Sequence, residues 1–212
     1  HLSIRRQRQM CIRDSTRTGY DFVNWIDQSA GLWNPGETTT VTSGRFLFSA
    51  QWSARSNSIS FFGNNNTGGS TPNTGAYITD GSPYVIPGNT NSLVRTGYTF
   101  IGWNTAADGA GTDYPAGVGA TYASPANLTL YAKWLANTYF VTYNGNGATG
   151  GLAPDAGSYV TGSATPLTVA ANRSGSDALV KTGFTFDGWY TTASGTGGTA
   201  YVAGTGTLTT TS

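Results

Sequence analysis

The most informative stretch of the chain is Arg95-Thr96-Gly97-Tyr98-Thr99-Phe100-Ile101-Gly102-Trp103, which occurs in three versions. The earlier version reads Arg17-Thr18-Gly19-Tyr20-Asp21-Phe22-Val23-Asn24-Trp25, and the later one reads Lys181-Thr182-Gly183-Phe184-Thr185-Phe186-Asp187-Gly188-Trp189. The tryptophans that end the three versions are 78 and then 86 residues apart. A period of this kind indicates a tandem array of similar small modules, and such arrays typically serve spacing or multivalent contact.

The alignment extends on both sides of the motif, so each repeat is predicted to be a whole folding unit. Residues 59–69 match residues 141–151, and an alternating run that ends in tryptophan, Leu128–Trp134, closes the middle unit. The predicted organisation is the C-terminal half of a unit in 16–53, a complete unit in 57–134, and a unit that stops before its last strand in 137–212. We expect module boundaries near 54–56 and 135–136, and we expect the chain to be part of a longer protein.

Residues 1–15 differ in composition from the rest of the chain. They hold the only His, the only Met and the only Cys, together with four of the eleven basic residues. They lack the apolar stretch of an export signal. The string from Arg8 to Ser15 resembles translated sequencing adapter, so we predict a non-native, disordered leader. A genuine disordered linker and a basic binding tail are the alternatives.

The charge balance of the repeats argues against nucleic acid as a partner. Outside the first fifteen residues the chain has seven basic and nine acidic side chains, and no basic patch interleaved with aromatics remains. No apolar stretch is long enough to span a bilayer, so no membrane insertion is predicted for this segment.

The composition predicts short strands joined by many turns. Charged residues make up 10% of the chain and aromatic residues 13%, and there are 30 glycines. The best helical candidate is a single turn around Ser176–Lys181, capped by Ser176 or Asp177 and ended by Gly183 in the left-handed conformation. The fold class is therefore mainly β, with little helix.

The recurring glycines and aromatics are the predicted structural residues. In Leu128–Trp134 the period of two places Leu128, Leu130, Ala132 and Trp134 on one face, which predicts a half-buried strand. The structural motif residues are Gly97, Tyr98, Phe100, Gly102, Trp103 and Trp134 in the middle unit, and Gly183, Phe184, Phe186, Gly188 and Trp189 in the last.

These residues resemble the internalin B-repeat, also called the Listeria-Bacteroides repeat. The resemblance rests on Thr-Gly-Tyr-Thr-Phe-x-Gly-Trp, a Gly-rich turn, an aromatic residue and a terminal Leu-Tyr-Ala-x-Trp, and it covers residues 17–52, 57–134 and 137–212. The family implies β-grasp-like modules in tandem in large bacterial surface and secreted proteins. It also implies spacer, adhesive or partner-contacting roles without catalysis, with a surface protein or glycan of a host or neighbouring cell as the partner.

Few catalytic side chains are available in the repeats. No His or Cys occurs from Thr16 to Ser212, which removes Ser-His and Cys-His nucleophiles, zinc sites built on those ligands and thiol redox chemistry. The aspartates mostly lie beside Gly, Ser or Thr, where turns favour them on conformational grounds. We predict that the chain is not an enzyme and holds no cofactor or metal.

Two loops have a superficial likeness to ligand sites. Gly145–Gly150 fits the G-x-G-x-x-G pattern after a strand-like segment, but no helix follows it, so a hairpin turn is the favoured interpretation over a dinucleotide site. Asp108–Asp113 has the look of a calcium loop, yet it offers only two carboxylates where calcium takes six to eight oxygens, so a turn is again favoured.

Carbohydrate binding is the main alternative function for a secreted β module. Trp33, Tyr84 and Tyr190 lack aromatic counterparts at the aligned positions, and we identify them as possible exposed binding aromatics. A glycan platform would present such rings together on one face, whereas a spacer needs none.

Overall fold

The computed structural model describes residues 16–37, 47–117 and 119–208. The predicted leader in residues 1–15 lies outside the described residues. Contacts divide the chain into two compact units. The first comprises the chain up to Asn64 with Gly69–Leu93 and Ile101–Lys133, and the second comprises Asn65–Gly68, Val94–Phe100 and the chain from Trp134 onwards.

The described residues form short β-strands and one turn of 3-10 helix, so the prediction of a mainly β fold with little helix is confirmed. In chain order the strands are β1 (Tyr20–Asp27), β2 (Leu32–Trp33), β3 (Phe48–Ala54), β4 (Ser56–Phe62), β5 (Gly75–Ile78), β6 (Tyr84–Val85), β7 (Tyr98–Asn104), β8 (Asp113–Pro115), β9 (Thr121–Tyr122), β10 (Leu128–Ala136), β11 (Thr138–Val141), β12 (Gly157–Val160), β13 (Leu167–Thr168), β14 (Trp189–Tyr190), β15 (Ala200–Tyr201) and β16 (Thr207–Leu208).

The first repeat contributes a three-stranded antiparallel sheet to the first unit, in the order β2-β1-β3. The β1–β3 register runs from Tyr20 opposite Ala54 to Asp27 opposite Phe48, with a shift between Phe22 and Asn24. A shift of this kind is a β-bulge, which bends the strand and increases its twist.

The middle repeat forms a five-stranded sheet in the order β5-β4-β10-β7-β8. The closing strand β10 lies between β4 and β7 and runs parallel to β4, with Leu128 opposite Ile59 and Leu130 opposite Phe61. The outer pairs β4–β5 and β7–β8 are antiparallel. A strand from the end of the repeat therefore fills the centre of its sheet.

The core of the middle repeat follows the alternation of β4 and β10. Every second residue of β4 from Asn57 to Phe61 is buried, and so are Leu128, Leu130 and Ala132 of β10. The predicted inward face of the closing strand is therefore confirmed for these three residues, while Trp134 is half-buried. Among the described apolar residues of the middle repeat, exposure is lowest for Ile59, Leu130 and Ala132 at 0%, Trp103 at 1% and Leu93 at 2%.

The third repeat belongs to the second unit and forms three separate antiparallel strand pairs, β11–β12, β13–β16 and β14–β15. Tyr159, Val169 and Leu179 are its buried apolar residues. The described residues of this repeat include no strand at the place that β10 takes in the middle repeat.

The predicted helical turn is shorter than expected and begins earlier. The 3-10 helix covers Gly175–Asp177, and the residue before it, Ser174, makes no capping bond through its side chain. The turn cannot continue because Ala178 is extended and Val180 forms a β-bridge with Gly150. Gly183 is in the left-handed region at φ +80°, as predicted, but it belongs to the tight turn from Lys181 to Phe184 instead of a helix end.

Candidate functional site

The first four residues of the motif form the same tight turn in all three repeats. The amide of Tyr98 donates to the carbonyl of Arg95 at 2.9 Å, and the matching bonds from Tyr20 and Phe184 measure 3.0 and 2.9 Å. The glycine at the third position has φ near +80° each time, which an L side chain adopts only with strain. The cation that begins each turn lies over the ring that ends it, as Arg95 does over Tyr98 at 4.0 Å.

The second motif glycine marks a close approach of two strands. Gly102 has φ +145°, and a Cβ built on it would lie 2.5 Å from the carbonyl oxygen of Tyr114. Gly188 has φ +156° and the same relation to Tyr201 at 2.8 Å. Asn24 takes this position in the first repeat, beside the β-bulge, and its buried Oδ1 has no hydrogen-bond partner.

The motif tryptophan makes the same two contacts in the middle and third repeats. Trp103 donates its Nε1 hydrogen to the carbonyl of Pro87 at 2.8 Å, and its ring meets Phe61 with 4.9 Å between centroids. Trp189 repeats both contacts, with the carbonyl of Ala170 at 2.8 Å and with Tyr143 at 4.7 Å. Trp189 is only half-buried, whereas Trp103 is almost fully buried.

The motif turn of the first repeat docks onto the start of the middle repeat. Arg55, the residue between β3 and β4, donates its amide to the carbonyl of Gly19 at 2.9 Å and accepts from the amide of Thr79 at 3.0 Å. Its side chain forms an ion pair with Asp21, with Nε at 2.7 Å and Nη2 at 2.5 Å. The hydroxyl of Tyr20 donates to Asp80. We call this set of contacts the first joint.

The middle repeat meets the start of the third repeat in the same way. Asn137, the residue between β10 and β11, donates its amide to the carbonyl of Gly97 at 2.9 Å and accepts from the amide of Thr161 at 2.9 Å. In place of the ion pair, Thr99 donates its hydroxyl to the Asn137 side chain at 2.7 Å. The backbone of this second joint therefore matches the first, while its side-chain pair is neutral.

Each joint requires a residue without a side chain at the motif glycine. A Cβ on Gly19 would lie 2.8 Å from the side chain of Thr79 and closer still to Pro125, and a Cβ on Gly97 would lie 2.7 Å from the side chain of Thr161. These distances are shorter than ordinary van der Waals contact. Gly183 has the same backbone conformation, but nothing lies within 4 Å of its Cβ position.

The three candidate binding aromatics have different environments. Trp33 is half-buried, and its Nε1 donates to Asp27 at 2.8 Å; this bond is the main reason that the pKa of Asp27 is lowered. Tyr84 is half-buried with its ring on Gly75, and burial raises its pKa. Tyr190 is 39% exposed and donates its hydroxyl to Asp187 at 2.6 Å, which raises the pKa of Tyr190.

The loop Asp108–Asp113 is held in place by hydrogen bonds from side chains outside it. Asn104, which is 1% exposed, donates to the carbonyls of Gly109 and Gly111 and to Asp113 at 2.6 Å. Lys133 of β10 contacts both oxygens of Asp113 at 2.7 Å. Lys133 first and Asn104 second lower the pKa of Asp113.

The glycine-rich loop from Gly145 also has a structural anchor. Asn146 donates its side-chain amide to the carbonyl of Ala193 at 2.7 Å, and Thr149 pairs with Val180 at 2.7 Å. In the described part of the chain, no three His, Cys, Asp or Glu side chains cluster in a way that could hold a metal ion. These loops hold the modules in shape.

The joint residues Arg55, Thr79, Asn137 and Thr161 were not identified from the sequence. A signal was available, since Thr79 and Thr161 are separated by the same 82 residues as the aligned stretches that begin at Ile59 and Val141. Neither threonine belongs to the aromatic motif, so neither was predicted to have a structural role. The linker residues differ in type, so they show no similarity in an alignment.

The repeats match a known family model along almost the whole chain. The model of the Listeria-Bacteroides repeat domain matches residues 9–50, 58–133 and 139–212. The chain belongs to this family. The resemblance noted in the motif residues is thus confirmed, and the chain is a tandem array of Listeria-Bacteroides repeats.

Two longer bacterial proteins contain similar sequence. A protein of Evansella cellulosilytica named "Putative membrane protein" is 35% identical over 122 residues, which is 57% of this chain and 18% of that protein. A second one from the same organism, "Putative Gly-rich membrane protein", is 38% identical over 116 residues, or 53% of this chain and 13% of its own length. The chain thus matches less than a fifth of either relative.

No solved structure matches this array of Listeria-Bacteroides repeats. Among the described residues, no helix has the length and apolar character needed to cross a membrane.

Proposed function

We propose that this chain is a non-catalytic spacer segment of a bacterial cell-surface or secreted protein, in which the joints hold successive repeats in a set geometry. The main support for this proposal is that the same joint occurs twice. Equivalent backbone atoms form it twice, through Arg55 with Gly19 and through Asn137 with Gly97. A flexible linker needs no such contact, whereas both joints place a glycine with positive φ against a threonine.

The environment of the polar residues supports a role without catalysis. The carboxylate at the best-formed polar cluster, Asp113, is neutralised by Lys133 and held by Asn104. A catalytic acid or base needs a pKa near the working pH, and the pKa of Asp113 is shifted the other way.

The relatives support the cell-surface placement. Both Evansella proteins carry "membrane protein" in their names and are several times longer than the matched stretch. In proteins of this length, a tandem array of such repeats can serve as a spacer that holds other domains away from an anchor.

The spacer proposal can be tested by measuring how rigid the second joint is. Spin labels at Asn66 and Ala164, which belong to the same compact unit as the second joint, report the distance distribution across that joint in a background with Cys11→Ser. We expect a narrow distribution for the parent chain and a clearly broader one for Gly97→Val, whose side chain would collide with Thr161.

Gly183→Val is the matched control for that experiment. Gly183 has φ +80° against +78° for Gly97, so the two substitutions impose the same backbone strain, but only Gly97 has a neighbour to displace. The control is expected to leave the distribution narrow. A parent chain already as broad as the Gly97→Val chain would overturn the proposal.

Glycan binding is tested on the same samples. If a glycan array shows specific binding that is lost on Tyr190→Ala or Tyr84→Ala, the chain is a carbohydrate-binding module instead of a spacer. Trp33→Phe, which removes the bond to Asp27 but keeps a ring, tests the third candidate in the same format.

A further inference from the structure

We infer that the second joint is the hinge of the array: it opens more readily than the first joint, so the spacer lengthens at one defined place. This inference rests on the proposed spacer function and adds an order of opening to it. The two joints share their backbone bonds, through Arg55 in the first and Asn137 in the second. They differ in the side chains around these bonds, where residues 82 positions apart are counterparts.

In the first joint a buried threonine hydroxyl has two partners. Thr79 is 6% exposed, and its Oγ1 donates to the carbonyl of Arg55 at 3.3 Å. Asn57, also 6% exposed, donates its side-chain amide to Thr79 Oγ1 at 3.4 Å. The same amide lies 3.4 Å from the carbonyls of Arg55 and Tyr77. Asn57 of β4 therefore connects the linker residue with β5.

In the second joint the equivalent hydroxyl has no partner. Thr161 is 9% exposed, and its buried Oγ1 makes no hydrogen bond. The counterpart of Asn57 is Tyr139, which has no amide to donate and is 43% exposed. A buried polar group without a partner incurs its full desolvation penalty, whereas an apolar group of the same shape does not. Water reaches this hydroxyl when the joint opens, so the penalty favours the open state.

The rim of the second joint also has fewer polar contacts. In the first joint the Tyr20 hydroxyl donates to Asp80, and Arg17 lies 3.7 Å from the same carboxylate. The counterpart of Asp80 is Gly162, and a Cβ built on it would lie 2.9 Å from the hydroxyl of Tyr98. Gly162 has no side chain that could accept a hydrogen bond. Exposed polar pairs contribute little, so the buried threonines carry most of the difference between the joints.

Amide hydrogen exchange of the full chain measures the opening of each joint. The amides of Arg55 and Thr79 report on the first joint and those of Asn137 and Thr161 on the second, because each makes a backbone bond within its joint. Each set is compared with the strand pair beside it, β4–β5 or β11–β12, which separates opening of a joint from unfolding of a repeat. We expect the first set to be as protected as β4–β5, and the second set to be about tenfold less protected than β11–β12.

The same substitution should have opposite effects in the two joints. Thr161→Val removes the unpaired hydroxyl and keeps the shape of the side chain, so protection of the Asn137 amide should rise toward that of β11–β12. Thr79→Val removes a hydroxyl that has partners, so protection of the Arg55 amide should fall. Each substitution is the matched control for the other, because the preference of valine for strands acts in the same direction at both sites.

The inference is wrong if the two sets of amides are equally protected relative to their strand pairs, or if Thr161→Val does not raise protection in the second joint. Failure of the spacer proposal is measured separately, by the distance distribution between the labels at Asn66 and Ala164. A protected amide means that its joint is closed for nearly all of the time, so a narrow distribution is expected whichever joint opens first. A broad distribution overturns the spacer, and equal protection with a narrow distribution overturns the hinge alone.

Discussion

The middle and third repeats share one tryptophan geometry, yet their cores differ. Trp103 and Trp189 donate to equivalent carbonyls at the same distance, 2.8 Å, and each meets an aromatic ring of the preceding strand region. Trp103 is nevertheless 1% exposed, while Trp189 is half-buried. The middle repeat differs by having β10 inside its sheet. The hydrogen bond and the ring contact of the tryptophan are therefore set within the first fifty or so residues of each repeat, while its exposure differs between the two repeats.

The largest effect is expected from emptying the two tryptophan sites. Trp103→Ala should destabilise the middle repeat by about 3–5 kcal/mol, the usual cost of removing a large buried aromatic. Trp189→Ala should cost the third repeat about 1–2 kcal/mol, because less of its surface leaves water on folding. Native-state hydrogen exchange of the full chain, read at β4 and β10 and separately at β11 and β12, measures both. Equal losses at the two sites would show that the different exposure of the two tryptophans does not control their contribution to stability.

The sequence predicted the parts of this comparison that are local. The motif glycines, the alternation of β10 and the mainly β content follow from residue types and spacing, since they depend on backbone conformation and period. The alignment also equates Trp103 with Trp189, and it cannot distinguish their burial, which depends on tertiary packing and not on the motif itself. The joints were not predicted, because their bonds are made by the backbone of Arg55 and Asn137, two residues with unrelated side chains.

A second difference between the repeats lies one residue after the tryptophan. Asn104 is buried and makes hydrogen bonds to the loop after it, whereas its counterpart Tyr190 faces solvent and bonds to Asp187. Asn104→Ala should destabilise the middle repeat by about 2–3 kcal/mol, because several buried loop groups lose their partner together. Tyr190→Ala should change the third repeat by less than about 1 kcal/mol.

The losses of stability in Asn104→Ala and Tyr190→Ala are compared under one set of conditions by thermal denaturation, with amide hydrogen exchange as the measurement for each repeat. Asn104→Asp in an Asp113→Asn background is the matched control, since it keeps the acceptor for the amides of Ala106 and Gly111, loses the donors to Gly109 and Gly111, and avoids two carboxylates in contact. A loss for Asn104→Ala no larger than that for Tyr190→Ala would contradict the assignment of a loop-organising role.

The carboxylate of Asp113 makes the stability of the middle repeat depend on pH. Its pKa is lowered by Lys133 and then by Asn104, so its contribution is fully present above the ordinary value of 3.8 and is lost as the pH falls below it. The third repeat has Ala200 at this position and lacks this contribution. Between pH 7 and pH 3 the β4 and β10 amides should lose more protection in the parent chain than in Asp113→Asn. Lys133→Gln should likewise lose less protection than the parent chain between pH 7 and pH 3. An identical pH response of the parent chain and Asp113→Asn would rule out this linkage.

The smallest expected effect distinguishes the two joints by their side chains. The first joint has an ion pair between Arg55 and Asp21, both more than half exposed, and the second has a neutral bond between Thr99 and Asn137. Exposed pairs are weak and screened by salt. A double-mutant cycle with Asp21→Thr and Arg55→Asn should therefore give a favourable coupling at low salt that disappears in about 1 M salt.

The double variant converts the first joint into the type of the second, so it should retain the exchange protection of the Arg55 and Thr79 amides. Loss of that protection in the double variant would mean that the ion pair, and not the shared backbone bonds to Gly19, holds the first joint together.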